Sequence, residues 1–267
     1  MINNPLISVV TISFNQAKYL ERCINSIKNQ TYQNYEHIIA DPGSTDGSRE
    51  IIRNNKEHFK KIIFKKDKGP ADGLNNGFKM AKGEIYYFLN SDDEIPIDSF
   101  EKAIKIFNTY DPDIILGSGY IIDNHGKKLK YVIPTIFSKN EYLYNNAVIF
   151  QQGLFFKSEV YKQTNRFNLN SLCSWDGELL FQIITQITKK IILSYEILGY
   201  FRIYNESGTG SGNLNLKAKQ DRLRLFREIK NRNYNIFDRL IEKIYYPIKF
   251  IKNPLRTFLL IFRKIFI

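Results

Sequence analysis

The sequence predicts an α/β protein with a Rossmann-like, mostly parallel sheet flanked by helices and a basic helical C-terminal extension. Short β-branched and apolar runs alternate with segments of helical apolar spacing through residues 7–110. Four of those runs end in polar clusters, as expected where an α/β sheet binds ligands outside its carboxyl edge. Charge is also uneven. Of the net +12, residues 215–267 carry 14 Lys and Arg against 4 Asp and Glu, and the first 214 carry 25 against 23.

Ile7 to Phe14 is β-branched and apolar, which suits a parallel strand covered on both faces. Leu20, Cys23, Ile24 and Ile27 then recur at helical spacing. Tyr35 to Ala40 reads as a second strand ending at Asp41. Ser44-Thr45-Asp46-Gly47-Ser48 supplies capping side chains for a helix through Ile51, Ile52 and Asn55. Ile62 to Phe64 is a third strand, Leu74 to Ala81 a helix and Ile85 to Leu89 the fourth strand. Beyond it, Ile97 to Tyr110 reads as a helix and Ile114 to Ile122 as one or two strands. Asp176 to Ile187 is a helix by its apolar spacing, and Ile191 to Tyr204 is extended. Tyr204 to Asn213, with three glycines, reads as a flexible loop. From Leu216 onward, basic helices are expected to break at Pro247 and Pro254.

Composition narrows the classes. Hydrophobic and charged fractions of 43% and 25% are those of a folded protein. Two distant cysteines, Cys23 and Cys173, argue against a disulfide framework or zinc site, and each is expected to be a small buried apolar residue. The start, Met-Ile-Asn-Asn-Pro, has no basic region before an apolar stretch, so no signal peptide is expected. No apolar run approaches the length of a membrane span. A cytoplasmic location follows as the expectation. His37, His58 and His125 fall in no catalytic constellation and read as surface or strand-end residues.

The polar clusters are Ser13-Phe14-Asn15-Gln16, Asp41-Pro42-Gly43-Ser44-Thr45-Asp46-Gly47-Ser48, Asp67-Lys68-Gly69-Pro70-Ala71-Asp72-Gly73-Leu74-Asn75-Asn76-Gly77 and Asn90-Ser91-Asp92-Asp93. Each alone is turn or cap chemistry. Carboxylates at the end of the fourth strand cannot be unpaired core, and as hard oxygen ligands they suit Mg²⁺ or Mn²⁺ shared with substrate phosphates.

In this order the clusters resemble the family 2 glycosyltransferases, inverting enzymes of the GT-A fold. The agreement is dense over residues 6–96 and looser to about residue 205. The resemblance implies a catalytic domain over residues 1–214, with a nucleotide-binding half (1–110) and an acceptor half (111–214), and residues 215–267 as a basic amphipathic tail. It also implies donor contacts from Ser13 and Asn15, with Asp41 on the base and Asp67 closing over the nucleotide. Asp92 and Asp93 would contact ribose and a diphosphate-bound metal, Asp93 being the favoured metal ligand. Asp46 would cap its helix and brace its loop. Asp176, at the start of a helix, is the expected base for the acceptor hydroxyl; the alternative is a simple N-cap. Glu178 is the poorer candidate. Trp175 could stack on the acceptor or belong to the core. Gln151-Gln152-Gly153 resembles an acceptor-side segment, and Arg202 could oppose the diphosphate. Tyr204 stands where many relatives carry His.

The function so implied is metal-dependent transfer of a hexosyl or N-acetylhexosaminyl group from a nucleotide sugar, UDP-linked by preference. The acceptor would be a cell-envelope glycan: a polysaccharide, an O-antigen or a lipid-linked oligosaccharide. Two alternatives stand: a nucleotidyltransferase, and a non-catalytic membrane-attached nucleotide-sugar or glycan binding protein. Between Lys243 and Ile267 lie six basic residues and no acidic one, and Leu255, Phe258, Leu259, Phe262 and Phe266 can share a helical face. Such a helix suits an anionic membrane surface, so peripheral attachment at the inner face is expected. Without a recognised nucleic-acid motif, no nucleic-acid partner is expected.

Overall fold

The computed structural model describes residues 4–187, 190–205, 214–252 and 254–266, without the side chains of 248, 249 and 262–266. Strands β1 (Ile7–Ile12), β2 (Tyr35–Ala40), β3 (Lys61–Ile63) and β4 (Ile85–Asn90) pair in parallel in the order β3-β2-β1-β4. Ile12 lies opposite both Ala40 and Asn90, so three strands end level and their polar clusters meet at one edge.

The second half extends the sheet. β7 (Leu154–Lys157) runs antiparallel to β4 and to the first part of β5 (Ile114–Ile122). β6 (Lys128–Val132) pairs antiparallel with the second part of β5, and β8 (Ile191–Arg202) pairs in parallel along all of it. β5 is therefore one strand, and β8 is one strand with irregular register near Gly117 to Gly119.

Alternating strand residues supply two cores. Val10, Ile38 and Phe88 face α3 (Pro70–Phe78), α6 (Ser158–Lys162) and α7 (Trp175–Gln182). Val9, Tyr87 and Leu89 face α1 (Ala17–Lys28) and α4 (Ser99–Tyr110). α2 (Ser48–Asn54) closes the β2 side through Ile52. A π-helical turn, Ile183–Ile187, ends the helix expected from Asp176 onward. His37 is buried within β2, between Thr11 and His58, and is not at a surface.

The C-terminal segment is packed on the body. α8 (Leu214–Lys230) inserts the buried Phe226 against Leu143 and Tyr144, beside α5 (Lys139–Leu143). α9 (Ile236–Ile251) stacks Tyr245 on Tyr144 with ring centroids 5.4 Å apart. α9 continues through Pro247, so the expected break does not occur there. Proline removes one ladder hydrogen bond, a loss that packing of the preceding turns can offset. α10 (Pro254–Phe266) does begin at a proline, and its buried Arg256 donates Nε to the Ile133 carbonyl at 2.9 Å. Of the face expected on α10, Leu255 and Phe258 are exposed; Phe262 and Phe266 lie outside the described side chains, as residues 206–213 lie outside the described chain. Among the described residues, no helix is long and apolar enough to cross a membrane.

One contact sets how closely α3 packs on β1. A Cβ at Gly77 would lie 2.3 Å from Val10 Cγ1, and valine at β1 has little rotamer freedom with which to yield. Gly77→Ala should therefore destabilise the fold by about 1–3 kcal/mol. Thermal melting reads this directly; a variant melting with the wild type would show that α3 can shift freely.

Candidate active site

A cavity of about 820 Å³ opens at the carboxyl ends of the parallel strands. One wall comes from the strand-end clusters: Ser13, Phe14, Gln16, Pro42, Gly43, Asp67, Asn90 and Asp92. The other comes from Gln151 and Gln152 before β7, and from Leu172, Cys173, Trp175 and Asp176 at the start of α7. Among the described residues, the Oγ of Ser13 and Oδ1 of Asn90 are buried without hydrogen-bond partners. Orphaned polar atoms in a cavity wall are what a polar ligand satisfies.

The loops are tied to each other before any ligand binds. Asn15, at φ 52°, accepts from the Thr45 N–H through Oδ1 at 3.0 Å, and its own N–H donates to Ser44 Oγ at 2.8 Å. Asn15 thus joins two loops and is not among the lining residues. Asp46 accepts from the Ala17 N–H at 2.9 Å and from Ser48, so it caps α1 from across the gap; the residue at the start of α2 is Gly47. Asp41 is buried. It accepts from the N–H groups of Gly43 and Ser44, from Ser44 Oγ and from Arg49 Nε at 2.9 Å. Although burial opposes it, those donors hold the Asp41 carboxyl below its usual range. Asp41 therefore braces the wall formed by Pro42 and Gly43, and its side chain stands behind that wall. Asp67 does line the cavity, held by the Gly69 N–H at 2.9 Å, and burial with the Asp72 and Asp41 charges pushes its carboxyl up.

The aspartate doublet divides. Asp92 lines the cavity and accepts from the Tyr204 hydroxyl at 3.1 Å, while that hydroxyl also lies 3.1 Å from Gln16 Oε1. Asp93, expected to be the closer metal ligand at an exposed strand end, is fully buried beneath the cavity. Its carboxylate accepts from the Arg202 N–H at 2.8 Å and from Gln152 Nε2 at 2.7 Å. Burial and the neighbouring Asp92 push the Asp93 carboxyl well up. Arg202 is likewise fully buried and is not among the cavity-lining residues. Its guanidinium donates to the carbonyls of Asp92 (2.8 Å) and Asp123 (2.7 Å) and pairs with Glu94.

Among the described residues, no group of three or more His, Cys, Asp or Glu forms a metal cage. One cavity-facing carboxylate beside the orphaned Asn90 Oδ1 still fits Mg²⁺ or Mn²⁺. Mg²⁺ in particular is commonly held by one or two carboxylates together with substrate phosphates.

On the opposite wall, Asp176 occupies the first turn of α7, and Ser174 is the N-cap residue. Burial pushes the Asp176 carboxyl up to about 6, against the lowering effect of the Gly177 N–H. Trp175 lies between cavity and core. It lines the cavity and also packs 5.9 Å from Phe88 and 5.8 Å from Phe167. Glu178 points into the body, where it accepts from Asn168 Nδ2 and pairs with Arg224. Cys173 sits at the cavity wall and is not buried core.

Sequence reasoning missed Asp221. From α8 its buried carboxylate accepts the N–H groups of Leu172, Cys173 and Ser174 at 2.9–3.0 Å and the Ser171 hydroxyl at 3.1 Å. It thereby fixes the loop that delivers Trp175 and Asp176. The signal available was one of two acids in a strongly basic helix, which is weak.

A cavity of this kind, outside the carboxyl ends of a parallel sheet, is where α/β proteins of this class bind their ligands. Residues 8–170 match the family described as glycosyl transferase family 2, and the chain belongs to that family. An uncharacterized glycosyltransferase of Nostoc sp. is 32% identical over 214 residues, covering 74% of this chain and 65% of that protein. The chain thus spans just under two thirds of that relative's length. Among solved structures, residues 1–349 of S. aureus TarS in complex with UDP-GlcNAc superpose with TM-score 0.62 at 16% identity, over 92% of this chain and 72% of that one. The mannosyltransferase PcManGT from Pyrobaculum calidifontis, in complex with GDP-Man and Mn²⁺, gives 0.65 at 15% identity, over 93% and 70%. At these identities the likeness is one of fold, and the fold is GT-A. Family membership removes the nucleotidyltransferase alternative.

Removing Asp221 tests its hold on the α7 loop. In Asp221→Ala, the amides of residues 172–174 should exchange faster, and stability should fall by about 1–3 kcal/mol for the donors left unsatisfied. Its N–H partners hold the Asp221 carboxyl below the usual range despite burial. The stability it contributes is therefore present above its unfolded value near ~4 and lost as pH falls through the lower folded value. The variant should lose that part of the acid dependence. Unchanged amide protection would show that other contacts hold the loop.

Proposed function

We propose that the protein is an inverting, metal-dependent glycosyltransferase. In this reading it moves a hexosyl or N-acetylhexosaminyl group from a nucleotide sugar to a cell-envelope glycan at the inner face of the cytoplasmic membrane. The observation that carries the reading is one cavity with Asp92 on the strand-end wall and a raised Asp176 on the wall opposite. Fold neighbours bound to UDP-GlcNAc and to GDP-Man and Mn²⁺ support a nucleotide-sugar donor and a divalent ion; a UDP sugar is our first choice. A lipid-linked acceptor and peripheral membrane attachment are supported by the basic C-terminal segment and its exposed apolar residues.

In this mechanism Ser13, Gln16, Asp67 and Asn90 line the donor side, and Trp175 and Gln152 line the acceptor side. Asp92 would hold a divalent cation, which when bound supplies Lewis-acid stabilisation of the departing diphosphate. Asp176 takes the proton of the acceptor hydroxyl as its oxygen bonds to the anomeric carbon. The anomeric carbon–oxygen bond to the diphosphate breaks, and its electron pair leaves with the nucleoside diphosphate. Buried Asp41, Asp93 and Arg202 hold the donor loops in register without touching substrate in this reading.

Asp176→Asn should keep donor binding and lower kcat by about 10²–10⁴-fold, the usual contribution of a general base. Because a base works deprotonated, wild-type kcat should rise with pH through about 6 and level off above it. Loss of donor affinity in the variant, measured by calorimetry, would move Asp176 to the donor site. Inactivity towards every nucleotide sugar in a panel, with binding retained, would instead favour the non-catalytic binding protein.

Asp92→Asn should abolish metal-stimulated donor binding and transfer. Full activity in excess chelator would remove the metal from the mechanism.

A further inference from the structure

A second cavity, of about 900 Å³, lies between α8 and α9, away from the sheet edge. Five cations line it against one acid, Glu242. Two of the five are already neutralised: Arg222 by Glu242 at 3.2 Å, and Arg224 by Glu178, Asp221 and Glu228. The other three, Lys219 and Arg227 from α8 and Arg239 from α9, make no ion pair among the described residues. Arg224 Nε is also buried without an acceptor. The remaining wall mixes the Asn233 and Asn235 side chains with apolar Leu223 and Ile236.

α9 presents three faces, roughly a third of a turn apart. Asp238, Ile241 and Tyr245 face the body. Ile236, Arg239 and Glu242 face the cavity. Phe237, Leu240, Ile244 and Ile251 are exposed, the first at 69% and the last at 76%. An uncovered apolar stripe therefore runs beside a cleft holding uncompensated positive charge. Phosphate attached to a hydrocarbon body complements both features at once, and a soluble phosphate complements only the cleft.

We propose that this cleft binds the headgroup phosphate of an anionic phospholipid, with the α9 stripe seated in the acyl boundary. The inference rests on the membrane attachment proposed above and gives it a defined site. Lys219, Arg227 and Arg239 donate to the phosphate oxygens from the two walls, and the Asn233 and Asn235 side chains complete the polar rim. Arg224 forms the floor and also pairs with Glu178 and Asp221, so the lipid lies behind the loop that carries Asp176.

The test uses the full-length protein and flotation on vesicles of phosphatidylcholine alone or mixed with phosphatidylglycerol. Arg227→Gln with Arg239→Gln removes two cleft charges; Lys217→Gln with Lys243→Gln removes two equal charges outside the cleft. All four residues are exposed, and thermal melting checks that both variants fold. Wild type should bind the mixed vesicles. The cleft pair should weaken that binding roughly tenfold more than the outside pair, the worth of one charge-assisted hydrogen bond of about 1.5 kcal/mol. Donor hydrolysis should be unchanged in both. Equal losses in the two pairs would overturn the cleft while leaving membrane attachment standing. No binding of wild type to either vesicle would overturn membrane attachment itself. A thermal shift of wild type by inorganic pyrophosphate, lost in the cleft pair while vesicle binding is kept, would assign the cleft to a soluble phosphate and overturn the lipid.

Discussion

The geometry of the aspartate doublet depends on one buried guanidinium. Arg202, at the end of β8, has 0% exposure and spends its donors on the Asp92 and Asp123 carbonyls and on Glu94, while its backbone N–H goes to Asp93. Such a charge is tolerable in the interior only when its donors are satisfied, and removing one partner of a buried pair typically costs about 3–5 kcal/mol. The Tyr19 ring covers it at 5.0 Å. These bonds join the β4 end, the β5–β6 turn and β8 at one point. They also set the division of labour in the doublet. With the Asp92 carbonyl and the Asp93 carboxylate both engaged below, the Asp92 carboxylate is the one left at the cavity.

This explains which parts of the site were legible in the sequence. Strand ends were legible, because an apolar run followed by Asp or Ser marks where a buried strand meets solvent, and the level register of β1, β2 and β4 brings those ends together. The orientation of neighbouring carboxylates was not. Asp92 and Asp93 look equivalent in sequence, and only Gln152, 59 residues on, and Arg202, 109 residues on, break the tie. Likewise Asp41 and Asn15 read as ligand contacts because they stand in the right loops. Their hydrogen bonds instead go to those loops, which residue type alone does not reveal. Pro247 misled for a related reason: propensity marks a break, and tertiary packing of α9 carries the helix past it.

Asp176 and Asp221 show how the same side chain acquires opposite character a short distance apart. Asp221 is buried and Asp176 half-buried at the cavity wall. Asp221 receives three backbone N–H groups and a hydroxyl, which outweigh burial and hold its carboxyl below the usual range. At Asp176 burial prevails over its backbone N–H donors, and its carboxyl rises to about 6. A permanently charged carboxylate makes a good anchor and a weak base. A carboxylate poised near neutrality suits proton transfer, where efficiency peaks when the group titrates near working pH. The α8 anchor thus frees the α7 carboxylate from structural duty.

That arrangement changes the meaning of the C-terminal segment. A boundary after residue 214 suits the charge distribution, yet the packing crosses it. Asp221 and Arg224 of α8 hold the α7 loop and Glu178, Phe226 fills a pocket at Tyr144, and Tyr245 of α9 stacks on the same ring. α8 is therefore part of the body beside α5 and α7, and within the C-terminal segment most of the exposed apolar residues lie on α9 and α10. Orientation in catalysis is effective only when the positioning groups are themselves fixed, since small misplacements are costly. Here the helix that positions Asp176 is also one wall of the basic cleft, so whatever settles in the cleft bears on a wall tied to the Asp176 loop through Asp221. A flexible link between α8 and the body would lose that registration. The packing of α8 beside α5 and its Arg224–Glu178 pair to α7 keep it.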